Sequence, residues 1–316
     1  MNSLINKLDK FLFQYNSIRP FAFLRISLAF FCLIYFICLA NEMHALIGFD
    51  GYVGREISEA SINSRLIPRI SWLVNRLINA GLSDEKSVSI IMWIYLLAIL
   101  CMLAGFFTRV SIFIVWAIHL MIFNSTEIFS YGVDAFMNIL LFYSLLMPLT
   151  SRWSLDYILL KKRKKAGNSV YESFFVRVLQ IHICIAYFFG GVSKLIMPGW
   201  LSGNSIWQTL MLPHFKVIDF SFLANHPFIT TAIGCIVVTL ELFYPLMMCF
   251  NKARKPWLIA IISMHVFIGC FMSLPFFGLI MIIFNLAAFG WNDFYPIVLN
   301  SIKRFVLRFQ PTFKHS

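Results

Sequence analysis

Stretches of mostly apolar residues recur along this chain, and each is long enough to cross the hydrocarbon core of a bilayer as one helix, which takes about twenty residues. Read in order, about eight such runs fall at roughly 20–40, 88–107, 109–129, 133–149, 173–197, 228–250, 256–273 and 275–291, of which the third is the weakest and the third and fourth could be merged or shifted. No other feature restricts the fold as strongly. Hydrocarbon offers backbone N–H and C=O groups no water, so only helices and closed barrels can span it. Continuous apolar runs of this length select helices. Composition matters here because it closes the soluble alternative. The 316 residues are 60% hydrophobic and 13% charged, with mean hydropathy +0.80. A soluble chain is about 25% charged. One soluble core cannot hide this much apolar surface, because surface does not shrink fast enough relative to volume. The expected fold is all-α and integral to the membrane, a polytopic bundle of about eight transmembrane helices.

Charge assigns the orientation. Lys and Arg number 26 against 14 Asp and Glu, a net +12. Basic residues concentrate in alternate connections: Lys7, Lys10 and Arg19; Arg109; Arg152 with the run Lys161 to Lys165; Lys252, Arg254 and Lys255; and Lys303, Arg304, Arg308 and Lys314. Since basic loops stay in the cytoplasm, both termini are expected there. The loop over 41–87 should lie outside, yet holds Arg55, Arg65, Arg69, Arg76 and Lys86. There, Leu66, Ile70, Leu73, Val74 and Leu77 share one helical face with arginines off it, which reads as an amphipathic helix in the outer interface with Pro68 in its first turn. Similar helices are expected near both ends. The domain plan is therefore an interfacial segment over 1–19, a transmembrane bundle over 20–291 and a basic cytoplasmic tail over 292–316. Met1 to Pro20 has no small-residue cleavage site, so an anchor helix rather than a removed signal peptide is expected. Membrane lipids with anionic headgroups are the partners this charge suits. A nucleic acid is not expected, since no soluble domain is there to carry it.

Ionisable side chains inside spans are costly and usually face a bundle interior. Arg25, His119, Asp134, Arg177, His182, Lys194, Glu241 and His265 fall in this class, with Asn138 and Asn285 as neutral members. Arg25 and Arg177 lie near cytoplasmic ends and are expected to snorkel. His119 and His182 read as satisfied interhelical histidines. Lys194 follows Gly190 and Gly191, so another helix or a ligand can approach its backbone closely. A desolvated lysine loses part of its preference for the charged form and becomes a usable base. From spacing alone, an interfacial snorkelling lysine fits as well. Glu241 sits deep in its span and must be protonated or paired with a cation from another helix. Asp134 opens a span, where it serves the helix dipole or a site. Lys194 and Asp134, with His265 as a further candidate, could meet in an outward-facing cavity, though spacing alone does not show that they do. The seven cysteines all lie in apolar runs without metal-ligand spacing, so neither a disulfide framework nor a metal site is expected. Phosphate-loop, zinc-protease, serine-elbow and dinucleotide signatures are absent from the sequence.

Three patches resemble the HTTM superfamily, the membrane module shared with vitamin K-dependent gamma-glutamyl carboxylase. One runs from Asp134-Ala135-Phe136-Met137-Asn138 to Ser154-Leu155-Asp156, matching a Ser-x-Asp motif at a span end. Another comprises Gln180, Tyr187-Phe188-Phe189-Gly190-Gly191-Val192-Ser193-Lys194-Leu195 and Gly199-Trp200-Leu201-Ser202-Gly203, similar to the family's Q…Y-F…G-V-x-K-L…W-x-x-G pattern. The last is Glu241-Leu242-Phe243-Tyr244-Pro245 followed by His265.

The resemblance implies that Lys194 is a catalytic base at the outer face, with His265, Glu241 and Asp134 in support, and that a quinol could be the cofactor the lysine activates. It implies an enzyme of carboxylase-like or peptide-maturation type. Departures bear on this: Ser193 stands where the family pairs a second lysine, the fourth-span histidine of the carboxylase has no match, and the sequence ends at Ser316 without the large lumenal domain. In size the chain resembles small stand-alone members such as the membrane component of the sporulation-delaying toxin system, which matures a secreted peptide. A secreted peptide substrate or a small partner protein is the implied partner. The alternative is a non-catalytic membrane partner, an immunity or export component, whose polar groups only fix helix packing.

Overall fold

The computed structural model describes residues 19–52, 54, 55, 57, 60, 66–147, 153–159, 170–213 and 217–290. The amphipathic N-terminal segment, the tail over 292–316 and the lysine run at 161–165 lie outside these residues. The described chain is helical, with no strand among the described residues. Its helices are α1 Arg19–Leu39, α2 Met43–Ile47, α3 Ile70–Asn79, α4 Asp84–Ala104, α5 Thr108–Ser125, α6 Gly132–Leu146, α7 Leu155–Leu159, α8 Val170–Ile196, α9 Asn204–Met211, α10 Pro227–Leu242, α11 Tyr244–Cys249, α12 Asn251–Phe271 and α13 Pro275–Asn285. The π-helical turn Leu286–Gly290 follows directly. By length and composition α1, α4, α5, α8 and α12 can each cross a membrane, and α6, α10 and the segment from Pro275 to Gly290 are shorter apolar helices. The protein is an all-α membrane protein.

Two compact units divide the chain, residues 1–176 with 274–283 and residues 177–273 with 284–316. In the first, α1 packs on α4 and α6, α4 on α5, and α5 on α6, while α3 lies across α4 and α5. Leu28, Ala29, Phe31 and Cys32 of α1 are fully buried. Lipid tails are as apolar as these side chains, so van der Waals fit and hydrogen bonds, not escape from water, hold such helices together.

One polar clamp closes the α4–α5 connection. Helix α4 starts on the Ser83 N-cap, with Asp84 and Glu85 in its first turn, and ends on Gly105 at φ +70°. A Cβ on Gly105 would lie 2.5 Å from that of Ser154, so only glycine lets the Ser154-Leu155-Asp156 motif seat here. Asp156 then accepts hydrogen bonds from the Phe107 amide at 2.9 Å and from the Thr108 amide and hydroxyl at 2.8 and 2.6 Å, capping α5. Arg25, 1% exposed, donates to the carbonyls of Met102 at 2.6 Å and Leu103 at 3.0 Å, and to that of Trp153. The snorkelling expected of Arg25 is thus corrected: carbonyls in the last turn of α4 supply buried partners for the guanidinium. Burial pushes the Asp156 carboxyl up, but the bonds from Thr108 and Phe107 and the charge of Arg25 outweigh it and hold it below its ordinary value.

Other boundaries also moved. Pro68 precedes α3 rather than lying in its first turn, and its carbonyl accepts from Asn124 at 2.9 Å. Ile70 and Val74 are buried as the amphipathic pattern requires, but Leu66 is 89% exposed, being ahead of the helix. The run 228–250 is two helices, α10 and α11, because Pro245 has no N–H to carry the ladder through. Helix α12 begins at Asn251, so Lys252, Arg254 and Lys255 are helical rather than in a loop. Arg55 pairs with Asp84 at 2.7 Å, which neutralises one cation of the loop that strained the charge rule.

Candidate functional site

In the second unit, α8 brings Lys194 to Glu241 of α10. Lys194 Nζ lies 2.6 Å from Glu241 Oε2, with the side chains 24% and 10% exposed. Two glycines make the approach possible. A Cβ on Gly191 would meet the Leu242 amide nitrogen at 2.6 Å and its Cα at 2.8 Å. One on Gly190 would stand 3.1 Å from Glu241 Oε2 and 3.7 Å from Lys194 Nζ. A neighbouring helix, rather than a ligand, takes up the space those glycines leave.

The other side of the ammonium faces Trp200, whose ring centroid is 5.2 Å from Nζ. The segment carrying Trp200 is fixed by glycines in turn. Gly203 has φ +79°, and a Cβ there would come within 2.3 Å of the Thr231 nitrogen. A Cβ on Gly234 would come within 2.1 Å of the Trp200 carbonyl oxygen. The Thr231 hydroxyl donates to the Ser202 carbonyl at 2.9 Å. The spacing of Lys194, Trp200 and Gly203 is therefore one mechanical assembly: the lysine leaves α8, the chain turns, and the tryptophan is laid against α10.

His265 does not join the Lys194–Glu241 pair directly. Tyr244 donates to Asn285 Oδ1, Asn285 Nδ2 donates to the Tyr187 hydroxyl oxygen, and that hydroxyl meets His265 Nε2, each at 2.7 Å. Asn285 is the donor to Tyr187, and the roles in the Tyr187–His265 bond are set by the histidine tautomer. All four side chains are buried, and the Tyr187 and Tyr244 rings lie 4.3 Å apart. Below them, Gln180 donates to the Ala288 carbonyl at 2.7 Å and accepts from Arg177 at 2.7 Å. Ala288 belongs to the π-helical turn Leu286–Gly290.

Asp134 belongs to the first unit. Its Oδ1 accepts from the Tyr35 hydroxyl at 2.6 Å, and its Oδ2 from the Tyr131 amide at 3.2 Å at the start of α6. The dipole-complementing position expected of it is occupied, and a tyrosine from α1 is added. Asn138, one turn on, is buried with neither amide atom hydrogen-bonded to a described partner. Among the described residues no three His, Cys, Asp or Glu side chains gather in a metal-binding group.

Sequence reasoning did not single out Trp200, Tyr187 or Tyr244 as site residues. Trp200 and Tyr187 stood inside the most specific motif, and Tyr244 beside Glu241, but aromatic residues are so frequent here that no signal separated these three. Compared with known families, residues 79–291 match the model described as HTTM domain. No curated protein and no solved structure matches the chain.

Proposed function

The chain belongs to the HTTM domain family, and from that premise we propose that it modifies or matures a peptide or lipid-soluble substrate at the outer face of a bacterial inner membrane, with Lys194 as the base. The observation that carries this reading is the environment of Lys194: a carboxylate at 2.6 Å, an indole face at 5.2 Å and partial exposure in a chain of apolar helices.

Two charges in a low dielectric attract strongly but lose hydration, so an ammonium–carboxylate pair and a neutral amine–carboxylic acid pair lie closer in energy than in water. Transfer of one proton from Nζ to Glu241 leaves an uncharged amine whose lone pair is then available. That amine takes a proton from a substrate O–H or C–H, giving an ammonium and a substrate anion, and the ammonium holds the anion by charge. Glu241 is the group that stores the first proton. A quinol fits the residues present, because its phenolic hydroxyl is a donor for the Lys194 amine and its ring matches the apolar, aromatic surroundings of Trp200. In the related carboxylase such a cofactor supplies, after oxygenation, a base strong enough for a carbon acid. His265, Tyr187, Asn285 and Tyr244 order the bundle around this pair.

A second reading draws on the same contact. A closed interhelical ion pair is also what a purely structural lock requires, and a membrane partner, immunity or export component would need nothing more. Mass spectrometry of the exported peptides and lipid extract from cells with and without the chain separates the two. The catalytic reading expects a product that disappears in the folded double variant Lys194→Met/Glu241→Met. A folded double variant that still forms the product removes Lys194 from the chemistry.

A further inference from the structure

The first unit encloses a cavity of about 190 Å³ between α1, α4, α5 and the start of α6. Tyr35, Tyr95, Tyr131 and Phe276 supply aromatic walls, and Asp134 sets a carboxylate in them. Tyr35 and Phe276 meet edge to face with centroids 5.0 Å apart. Among the described lining residues none is Lys or Arg.

The hydrogen-bond inventory is short of donors. A carboxylate has about four lone-pair sites. Asp134 uses one per oxygen, toward Tyr35 and the Tyr131 amide. His119 also lines the cavity, is 3% exposed, and has no hydrogen-bond partner for Nε2, while its Nδ1 lies 3.5 Å from the Tyr95 hydroxyl. An unsatisfied polar atom this deep is costly and is normally met by water or a ligand.

We propose that this cavity binds a small organic ammonium, with Asp134 as counter-charge, His119 Nε2 accepting an N–H or hydroxyl hydrogen, and the aromatic rings facing the cation. A carboxylate within aromatic walls is the arrangement that recognises alkylated or methylated ammonium groups. The volume suits a short-stemmed amine such as ethanolamine or choline and is too small for a folded peptide. The same ammonium chemistry occurs on phospholipid headgroups. A headgroup also brings a phosphate, and no basic side chain among the described lining residues meets one, so a free amine is the occupant the lining favours. This site is independent of the part played by Lys194.

The test is calorimetric titration of the purified full chain in phosphatidylglycerol nanodiscs with choline, ethylammonium and the neutral choline isostere 3,3-dimethyl-1-butanol. Saturable binding of at least one cation is expected, with the isostere about tenfold weaker or silent, as loss of one charge contact implies. Asp134→Asn should weaken binding by about tenfold or more. Phe276→Leu, which keeps the carboxylate, should weaken choline without abolishing folding and serves if the first variant does not fold. Repeating the titration in phosphatidylethanolamine nanodiscs identifies the source: unchanged affinity supports a free amine, and competition assigns the site to a headgroup and overturns that part. No saturable binding, or equal binding of the isostere, overturns the proposal.

Discussion

At the scale of single residues, the Lys194–Glu241 contact is the most consequential interaction. Breaking a buried pair costs about 3–5 kcal/mol, because the survivor is left charged without a partner. With Lys194 still 24% exposed, the cost here should fall toward the lower end of that range. Glu241→Gln and Lys194→Met are each expected to lower the thermal unfolding midpoint in detergent, and the double variant Lys194→Met/Glu241→Met to recover most of it. A double variant no more stable than the singles would show that the pair is not the unit. Arg25 makes a separate case. Its removal in Arg25→Ala takes a buried donor away from the carbonyls of Met102, Leu103 and Trp153, of which Met102 keeps the Gly105 amide at 3.3 Å. At about 1–3 kcal/mol for each buried unsatisfied group, this should be among the most damaging single changes, read as loss of folded yield.

Asp156 gives this region a pH dependence. Its carboxyl is held below its ordinary value of about 3.9 in the folded chain. A depressed folded value means that the unfolded chain binds the proton more readily. The cap on α5 is therefore fully stabilising above the unfolded value and is lost as pH falls through the lower folded one. Acid unfolding should begin below about pH 4, and Asp156→Asn should flatten that limb of the profile measured by circular dichroism.

Among elements, close helix approach outweighs helix propensity. Alanine is favoured over glycine by about 1 kcal/mol inside a helix, which alone would make Gly191→Ala stabilising. The added methyl would sit 2.6 Å from a backbone nitrogen of α10, which cannot give way as a side chain can. Gly191→Ala is expected to destabilise and to lengthen the Lys194–Glu241 separation, whereas Gly190→Ala, which meets a movable carboxylate at 3.1 Å, should be milder. Equal stability for the two variants would contradict this ranking.

Hydropathy located these helices because it reports which residues need hydrocarbon around them. It misjudged ends where that need and the helix part company. Asn251 to Lys255 are polar yet helical, and Pro245 breaks a ladder inside an apolar run. The site was legible in part. Lys194 and Glu241 stood out as charges at membrane depth, and Gly190 and Gly191 as a close approach. Their pairing spans 47 positions, and no periodicity links residues on different helices. Tyr187 and Tyr244 were hidden for a related reason: a hydroxyl is ordinary in sequence, and only its neighbours make it part of a network. Asn285 stood out as polar at membrane depth, but not as the partner of both tyrosines.

For the whole molecule, the composition excludes a soluble fold and the family match covers residues 79–291. In the proposed orientation, drawn from alternate basic connections, both termini face the cytoplasm and Lys194 lies near the opposite surface. The partly exposed Lys194 is held against a carboxylate, and the proposal puts it close to the outer boundary. Peptide mapping after treatment of intact cells with a membrane-impermeant amine reagent tests this most directly. Modification of Lys194 from outside is the predicted result. Modification only from the cytoplasmic face in inverted vesicles, or from neither face, would contradict it.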